Sequence, residues 1–217
     1  MSATPHLTQT RRKGWGTVDY VLIVVCAAIY AAALLALASV KLAPGVTLRP
    51  GNALQSVFGV LFGIPGSIGI GLGNVVNDLY TGAPPHAIAL GLVSNFLGGF
   101  IPYIVVSNAN LKTVRSWIEW YLGVALFTSA VVAYAIYVNV WLGLTPAKIA
   151  AVFAPTVFFN QLIPAAIISP ILIKLLYPFV KRSGLFRGRE PKEISDRFHQ
   201  EDNDPTGKRY EVDEARR

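Results

Sequence analysis

The chain has 217 residues, of which 53% are hydrophobic and 14% charged, with a formal net charge of +7. A soluble domain carries about 25% charged residues, and before Glu190 the only acids here are Asp19, Asp78 and Glu119, which argues against an ordinary water-soluble domain. The basic surplus flanks apolar segments, as at the edges of membrane spans, and does not point to nucleic acid.

Residues 1–18 are polar and contain Arg11-Arg12-Lys13. An apolar run over 20–40 follows, long enough at 1.5 Å per residue to cross a ~30 Å hydrocarbon core. A signal peptide is the competing reading, because Ala36-Leu37-Ala38 resembles a small-residue cleavage site, but the run is longer than a usual signal core. Residues 41–51 read as a loop with Pro44-Gly45, Arg49 and Pro50. Two short apolar segments, 52–64 and 67–80, flank a turn at Pro65-Gly66. They read as two thin spans, with a re-entrant hairpin buried in protein as the alternative.

A turn at 81–85 leads into a fourth apolar span over 86–107. Residues 108–116 are polar, and 117–142 form a fifth span. Thr145-Pro146 reads as a helix start, and the sixth span runs to about residue 177, with Pro155, Pro164 and Pro170 expected to kink it. From Lys181 onward the chain is charged and poor in apolar residues, a disordered or partly helical tail. The expected architecture is therefore an all-α integral membrane protein with six transmembrane helices. An N-terminal segment (1–18), a membrane domain (19–180) and a charged tail (181–217) make up the chain.

Lys and Arg placement sets the expected orientation. With six spans, the N-terminal segment, the 108–116 loop and the tail share a side holding Arg11, Arg12, Lys13, Lys112, Arg115, Lys181 and Arg182. The other side holds Lys41, Arg49 and Lys148, and Lys174 can snorkel inward. Both termini are thus expected on the cytoplasmic side of a cell membrane.

In this topology the polar residues of five spans fall in the outer half. They are Asn52 and Gln55; Asn74, Asn77, Asp78 and Tyr80; Asn95; Tyr134, Tyr137, Asn139 and Trp141; and Asn160 and Gln161. An unsatisfied polar group in lipid costs several kcal/mol, so convergence on one leaflet suggests a shared, water-accessible pocket. Spacing agrees: Asn74, Asn77 and Asp78 share a helical face, as do Tyr134, Tyr137 and Trp141, and Gly91, Asn95, Gly98 and Pro102. The expected solute-binding set is Arg49, Asn52, Asn77, Asp78, Asn95, Tyr137, Trp141, Asn160 and Gln161. Tyr137 and Trp141 would stack on a flat ring, the carboxamides would hydrogen-bond it, and Arg49 would favour an anionic group. Taken singly, each residue also has a plainer role: interfacial anchor, helix–helix hydrogen bond or loop charge.

Gly69-Ile70-Gly71-Leu72-Gly73 fails as a nucleotide loop, since Asn74 stands where a third spaced glycine is needed and no strand precedes it. Gly59/Gly63 and Gly69/Gly73 read instead as close-packing pairs. Ala27, Ala28, Ala31 and Ala32 form a smooth stripe on the first span, suited to internal packing or to a separate membrane subunit. Cys26 cannot form an internal disulfide, and His6, His86 and His199 are far apart, so no metal site or cofactor is expected.

On these residues the chain resembles the substrate-binding S component of energy-coupling factor (ECF) transporters over roughly 18–180. The likeness rests on the alanine pairs of the first span, the loop Val46-Thr47-Leu48-Arg49-Pro50, the turn Phe62-Gly63-Ile64-Pro65-Gly66, the ending Asn77-Asp78-Leu79-Tyr80 and the six-span length. The Arg-Pro loop is similar to the queuosine-precursor branch, which does not assign the solute. The resemblance implies capture of a small polar vitamin-like molecule or modified-nucleobase precursor without catalysis. It also implies closure of the 41–51, 81–85 and 143–146 loops over the site, and docking to a transmembrane partner and ATP-binding subunits. The chain carries no P-loop, so ATP hydrolysis would belong to a partner. Two other classes stay open. A membrane enzyme acting on a lipid or prenyl group would have only Asp78 and His86 as a nearby outer pair. A non-catalytic scaffold would recruit its partner through the tail.

Overall fold

The computed structural model of the protein describes residues 15–37, 40–43 and 46–189, with the backbone path alone for 40–43 and 46–48. Arg11, Arg12 and Lys13, the side chain of Lys41 and the expected tail beyond residue 189 lie outside the described residues. In chain order come α1 (Thr17–Ala36), a two-stranded antiparallel ribbon of β1 (Val40–Ala43) and β2 (Val46–Leu48), and a 3-10 turn over Pro50–Asn52. Then follow α2 (Ala53–Tyr80), α3 (Pro85–Val105), α4 (Val114–Ile118), a π-helical stretch over Glu119–Thr128, α5 (Ser129–Trp141) and α6 (Ala147–Arg182). The segment read as a plain loop thus contains a short ribbon, and the last helix runs five residues or so beyond the expected end near residue 177.

Five helical stretches are long and apolar enough to cross a membrane: Thr17–Ala36, Pro50–Tyr80, Pro85–Val105, Val114–Trp141 and Ala147–Arg182. Their outward faces are apolar, with Val24 68%, Leu175 69% and Phe179 69% exposed, while Gln55, Ser56, Asn160, Gln161 and Ser169 are buried. Large apolar side chains outside and carboxamides inside reverse the arrangement that water imposes and fit a membrane-embedded protein.

The second stretch is not a straight rod. Gly51 packs on Ala33 of α1, and Gly73 packs on Tyr30 and Ala31. A straight helix would separate Gly51 from Gly73 by about 33 Å, whereas Tyr30 and Ala33 lie about 4.5 Å apart along their axis. The chain therefore doubles back, and the break is at Gly63, whose φ of 60° and ψ of −136° are non-helical. A residue with a Cβ is strained there. The reversal falls two residues before the expected Pro65-Gly66 turn. Pro65 sits just inside the second limb, where its missing N–H is least costly, and Ser67 Oγ donates to the Gly63 carbonyl at 2.9 Å. Gly63 lies against Arg187, and Arg187 pairs with Asp19 in the first turn of α1. Both limbs therefore run from one end of the bundle to the other.

Small residues let these limbs pack. Gly69 and Gly73 meet α1 at Cys26, Ala27 and Ala31, and Gly59 meets the Gly99 backbone of α3. Of the two expected glycine pairs, only Gly69/Gly73 acts as a contact ridge, because Gly63 is spent on the reversal. The alanine stripe divides in the same way: Ala31 is buried and Ala27 abuts Gly73, while Ala28 and Ala32 face outward.

Backbone acceptors left open in the helices are satisfied by other elements. The reversal at Gly63 ends the first limb and leaves the Leu61 carbonyl without an in-helix donor, and it accepts from the Arg187 backbone N–H at 2.9 Å. Pro164 leaves the Asn160 carbonyl open, and Asn52 Nδ2 donates to it at 3.2 Å. The first bond ties a strap, residues 185–189, across one end of the bundle, and the second ties α6 to the start of α2 at the other.

Candidate functional site

At the end opposite the strap, a cavity of about 370 Å³ opens between α2, α3, α5 and α6. Arg49 and Asn52 line it from the approach to α2, Gln55 from the first limb, and Asn74 and Asp78 from the second. From α3 come Leu90, Gly91, Ser94 and Asn95, and from α5 Val132, Ala135, Ile136 and Asn139. Phe153, Thr156, Val157, Asn160 and Gln161 of α6 complete it. Its size lies near the lower end of the ~300–1,000 Å³ typical of small-ligand sites. The two opposite charges belong to Arg49 and Asp78; the remaining polar lining is neutral.

One network fixes the polar wall. Asn95 Nδ2 donates to the Gly91 carbonyl at 2.8 Å, one turn earlier in α3, so Asn95 Oδ1 faces α2 as an acceptor. Tyr30 of α1 donates its hydroxyl proton to that oxygen at 2.8 Å. Gln55 Nε2 donates to both the Tyr30 hydroxyl oxygen, at 2.6 Å, and Asn95 Oδ1, at 2.8 Å. The Asn95 bond to a main-chain carbonyl therefore also determines the orientation of the Gln55 amide, which leaves Oε1 as its spare atom. Gly98 admits this arrangement, since Gln55 Oε1 occupies the space a Cβ would take.

Asp78 is held from its own helix: Asn74 Nδ2 donates to Oδ2 at 2.6 Å and Asn77 Nδ2 to Oδ1 at 3.2 Å. Gln161 contrasts with it. The residue is 1% exposed, and neither Nε2 nor Oε1 has a hydrogen-bond partner among the described residues. Gln55 Oε1, on a residue 2% exposed, also lacks one. A buried polar atom left in this state costs about 1–3 kcal/mol.

Six of the nine residues expected from sequence line the cavity: Arg49, Asn52, Asp78, Asn95, Asn160 and Gln161. Three do not. Asn77 is buried behind Asp78 and serves its carboxylate. Trp141 is 68% exposed and packs edge-on against Tyr134 at a centroid distance of 5.4 Å, and Tyr137 joins the same aromatic group at 6.0 Å. Their helical spacing makes a stripe, but the stripe turns away from the cavity, and Phe153 is the aromatic residue that lines it.

Reading by sequence leaves Tyr30, Ser94 and Thr156 out, and places Gln55, Asn74 and Asn139 in the outer half but not in the expected site. Gln55 stands one helical turn from Asn52, a legible signal. Tyr30 was visible as the one aromatic residue among the alanines that follow Cys26. His86, paired in the sequence reading with Asp78, lines a neighbouring apolar groove of about 550 Å³ between α3 and α5, which shares Leu90, Ala135 and Asn139 with the cavity. No group of three His, Cys, Asp or Glu side chains able to hold a metal occurs among the described residues. Comparison with known protein families, with curated proteins and with solved structures finds no match.

Proposed function

We propose that the chain is a membrane-embedded solute-binding subunit that captures one small polar molecule in the cavity between α2, α3, α5 and α6. The observation carrying this reading is the cavity itself, lined by Arg49, Asp78 and carboxamide side chains brought together from α2, α3, α5, α6 and the approach to α2.

In this proposal the two limbs of α2 count as two thin spans, giving six. The strap end carries Lys112, Arg115, Lys181, Arg182, Arg187 and Arg189 and faces the cytoplasm, so the cavity opens toward the exterior. Lys174 reaches that same end, with Nζ 4.7 Å above the Trp117 ring. Uptake as in an ECF S component follows, with a transmembrane partner and ATP-binding subunits supplying energy. The outward Ala28 and Ala32 of α1 form the docking face, while Ala27 and Ala31 serve internal packing. Binding without turnover is favoured by the surroundings of Asp78, whose two oxygens are engaged by neighbouring asparagines.

Native mass spectrometry of the purified full-length chain, followed by equilibrium binding in nanodiscs, tests the proposal. One co-purifying polar solute that rebinds at micromolar concentration or tighter is expected, and a chain shortened after Arg189 should keep it. A chain that carries and rebinds nothing from a vitamin and nucleobase panel would remove the basis for the reading.

A further inference from the structure

The polar cavity has an apolar neighbour, and the pair specifies a kind of solute, an inference that rests on the binding reading above. Helices α3 and α5 each turn one face to the cavity and the adjacent face to the groove of about 550 Å³. On α3, Gly91, Ser94 and Asn95 line the cavity, whereas Ala89, Val93 and Leu97, one turn apart, line the groove. On α5, Val132 and Ile136 line the cavity, and Val131, Val138 and Leu142 line the groove. Leu90, Ala135 and Asn139 border both spaces. The groove lies on the outside of the bundle, with Val93 53% and Leu142 66% exposed, so in a membrane its open side meets acyl chains. From His86 to Leu97 it follows α3 for about 16 Å at 1.5 Å per residue. That length matches one leaflet of a hydrocarbon core ~30 Å thick.

We propose that the polar molecule in the cavity is the head of a single-chain amphiphile whose apolar chain passes Ala135 and lies along the groove. The cavity sets the cation of Arg49 and the carboxylate of Asp78 among neutral amides, so a compact head without net charge suits it. The alanine at the border matters because it is the smallest of the three side chains that both spaces share. Lipid tails are as apolar as leucine, so the groove gives the chain no extra hydrophobic force over the bilayer. Its contribution is positional: a chain held beside the cavity keeps its head at the entrance.

Equilibrium binding to the full-length chain in nanodiscs tests this with acetyl, hexanoyl and lauroyl esters of glycerol, which are uncharged, and of carnitine, which are zwitterionic. Empty nanodiscs correct for partition into the bilayer. In at least one series the lauroyl ester should bind at least tenfold tighter than the acetyl ester, since each methylene taken from water is worth about fourfold. Ala89→Trp and Val93→Trp fill the groove at exposed positions that do not line the cavity. Both variants should melt as wild type does and bind the lauroyl ester at least tenfold more weakly. A lauroyl probe with a diazirine at the chain end should label the deep end of the groove near Leu97 and Val131, and unlabelled ester should suppress that labelling. If both variants keep lauroyl affinity, the chain lies in lipid and the amphiphile assignment is overturned. If they weaken acetyl and lauroyl esters equally, the groove residues shape the cavity instead, and the assignment is overturned as well. Absence of binding by every ester overturns it too; a co-purifying solute without an apolar chain would then keep the binding reading, and none at all would end both.

Discussion

At the strap end of the bundle, Glu119 accepts from the Ser107 backbone N–H at 2.9 Å, from Ser107 Oγ at 2.7 Å and from Arg115 Nε at 2.8 Å. Arg187 binds Asp19 through its side chain and Leu61 through its backbone. At the cavity end, Gln161 and Gln55 keep polar atoms without partners although both are almost wholly buried. The contrast separates two uses of polarity in one apolar bundle. At the strap end charged groups close upon one another and fasten helices, whereas at the cavity end neutral groups are left over.

The largest expected effect breaks the strap end. Gly63→Val puts a β-branched residue at positive φ, and its Cβ would meet the Arg187 carbonyl and the Tyr103 ring. Strain and overlap together should cost about 3 kcal/mol or more. Heating the purified protein and following the monodisperse fraction by size exclusion should show a melting temperature far below wild type. A near-normal value would mean the reversal is not at Gly63.

At the cavity end, Tyr30→Phe sharpens the comparison. It deletes the hydroxyl that accepts from Gln55 and donates to Asn95. Gln55 keeps its bond to Asn95, so stability should fall by about 1–2 kcal/mol. Solute affinity should fall by more than stability, because Gln55 and Asn95, which line the cavity, then lose the hydroxyl that ties them to α1. Equal losses in melting temperature and in calorimetric affinity would reduce Tyr30 to a packing residue.

A double-mutant cycle links sequence to this architecture more directly. Asn52→Leu should cost about 1 kcal/mol in wild type, where Pro164 leaves the Asn160 carbonyl open. In a Pro164→Ala background the new N–H can serve that carbonyl within α6, and the same substitution should cost clearly less. Additive losses would show that Asn52 does not answer for the proline.

How much of this was legible follows from the same residues. Apolar run lengths and charge placement carried the helical membrane architecture, since hydrocarbon restricts composition strongly. The strap was not readable, because Leu185–Arg189 has no periodicity and its key bond joins a backbone N–H to a carbonyl freed by the chain reversal over a hundred residues earlier. Within the site, depth could be read but facing could not. Asn95, Asn160 and Gln161 were placed because a carboxamide in mid-span must turn inward. Trp141 and Tyr137 were misdirected because aromatics near a span end satisfy pocket and interface equally well. Tyr30 was hidden by the alanines around it, which drew attention to their packing rather than to its hydroxyl.

The smallest expected effect concerns the ion pair that fastens the strap to α1. Arg187 Nε lies 2.8 Å from Asp19 Oδ1, with side chains 32% and 17% exposed. Solvent still reaches the pair, so its coupling energy should be about 0.5–1 kcal/mol. Three other contacts of Arg187 do not depend on Asp19: its backbone N–H on Leu61 and its guanidinium on the Gly184 and Phe186 carbonyls. Asp19→Asn should therefore loosen α1 without releasing the strap, and Arg187→Ala should cost more than Asp19→Asn. Neither should change solute affinity, since the pair lies at the far end of α1 from the cavity. Thermal unfolding of both single variants and the double variant measures the coupling, and a change in affinity in any of them would mean that the two ends communicate through α1.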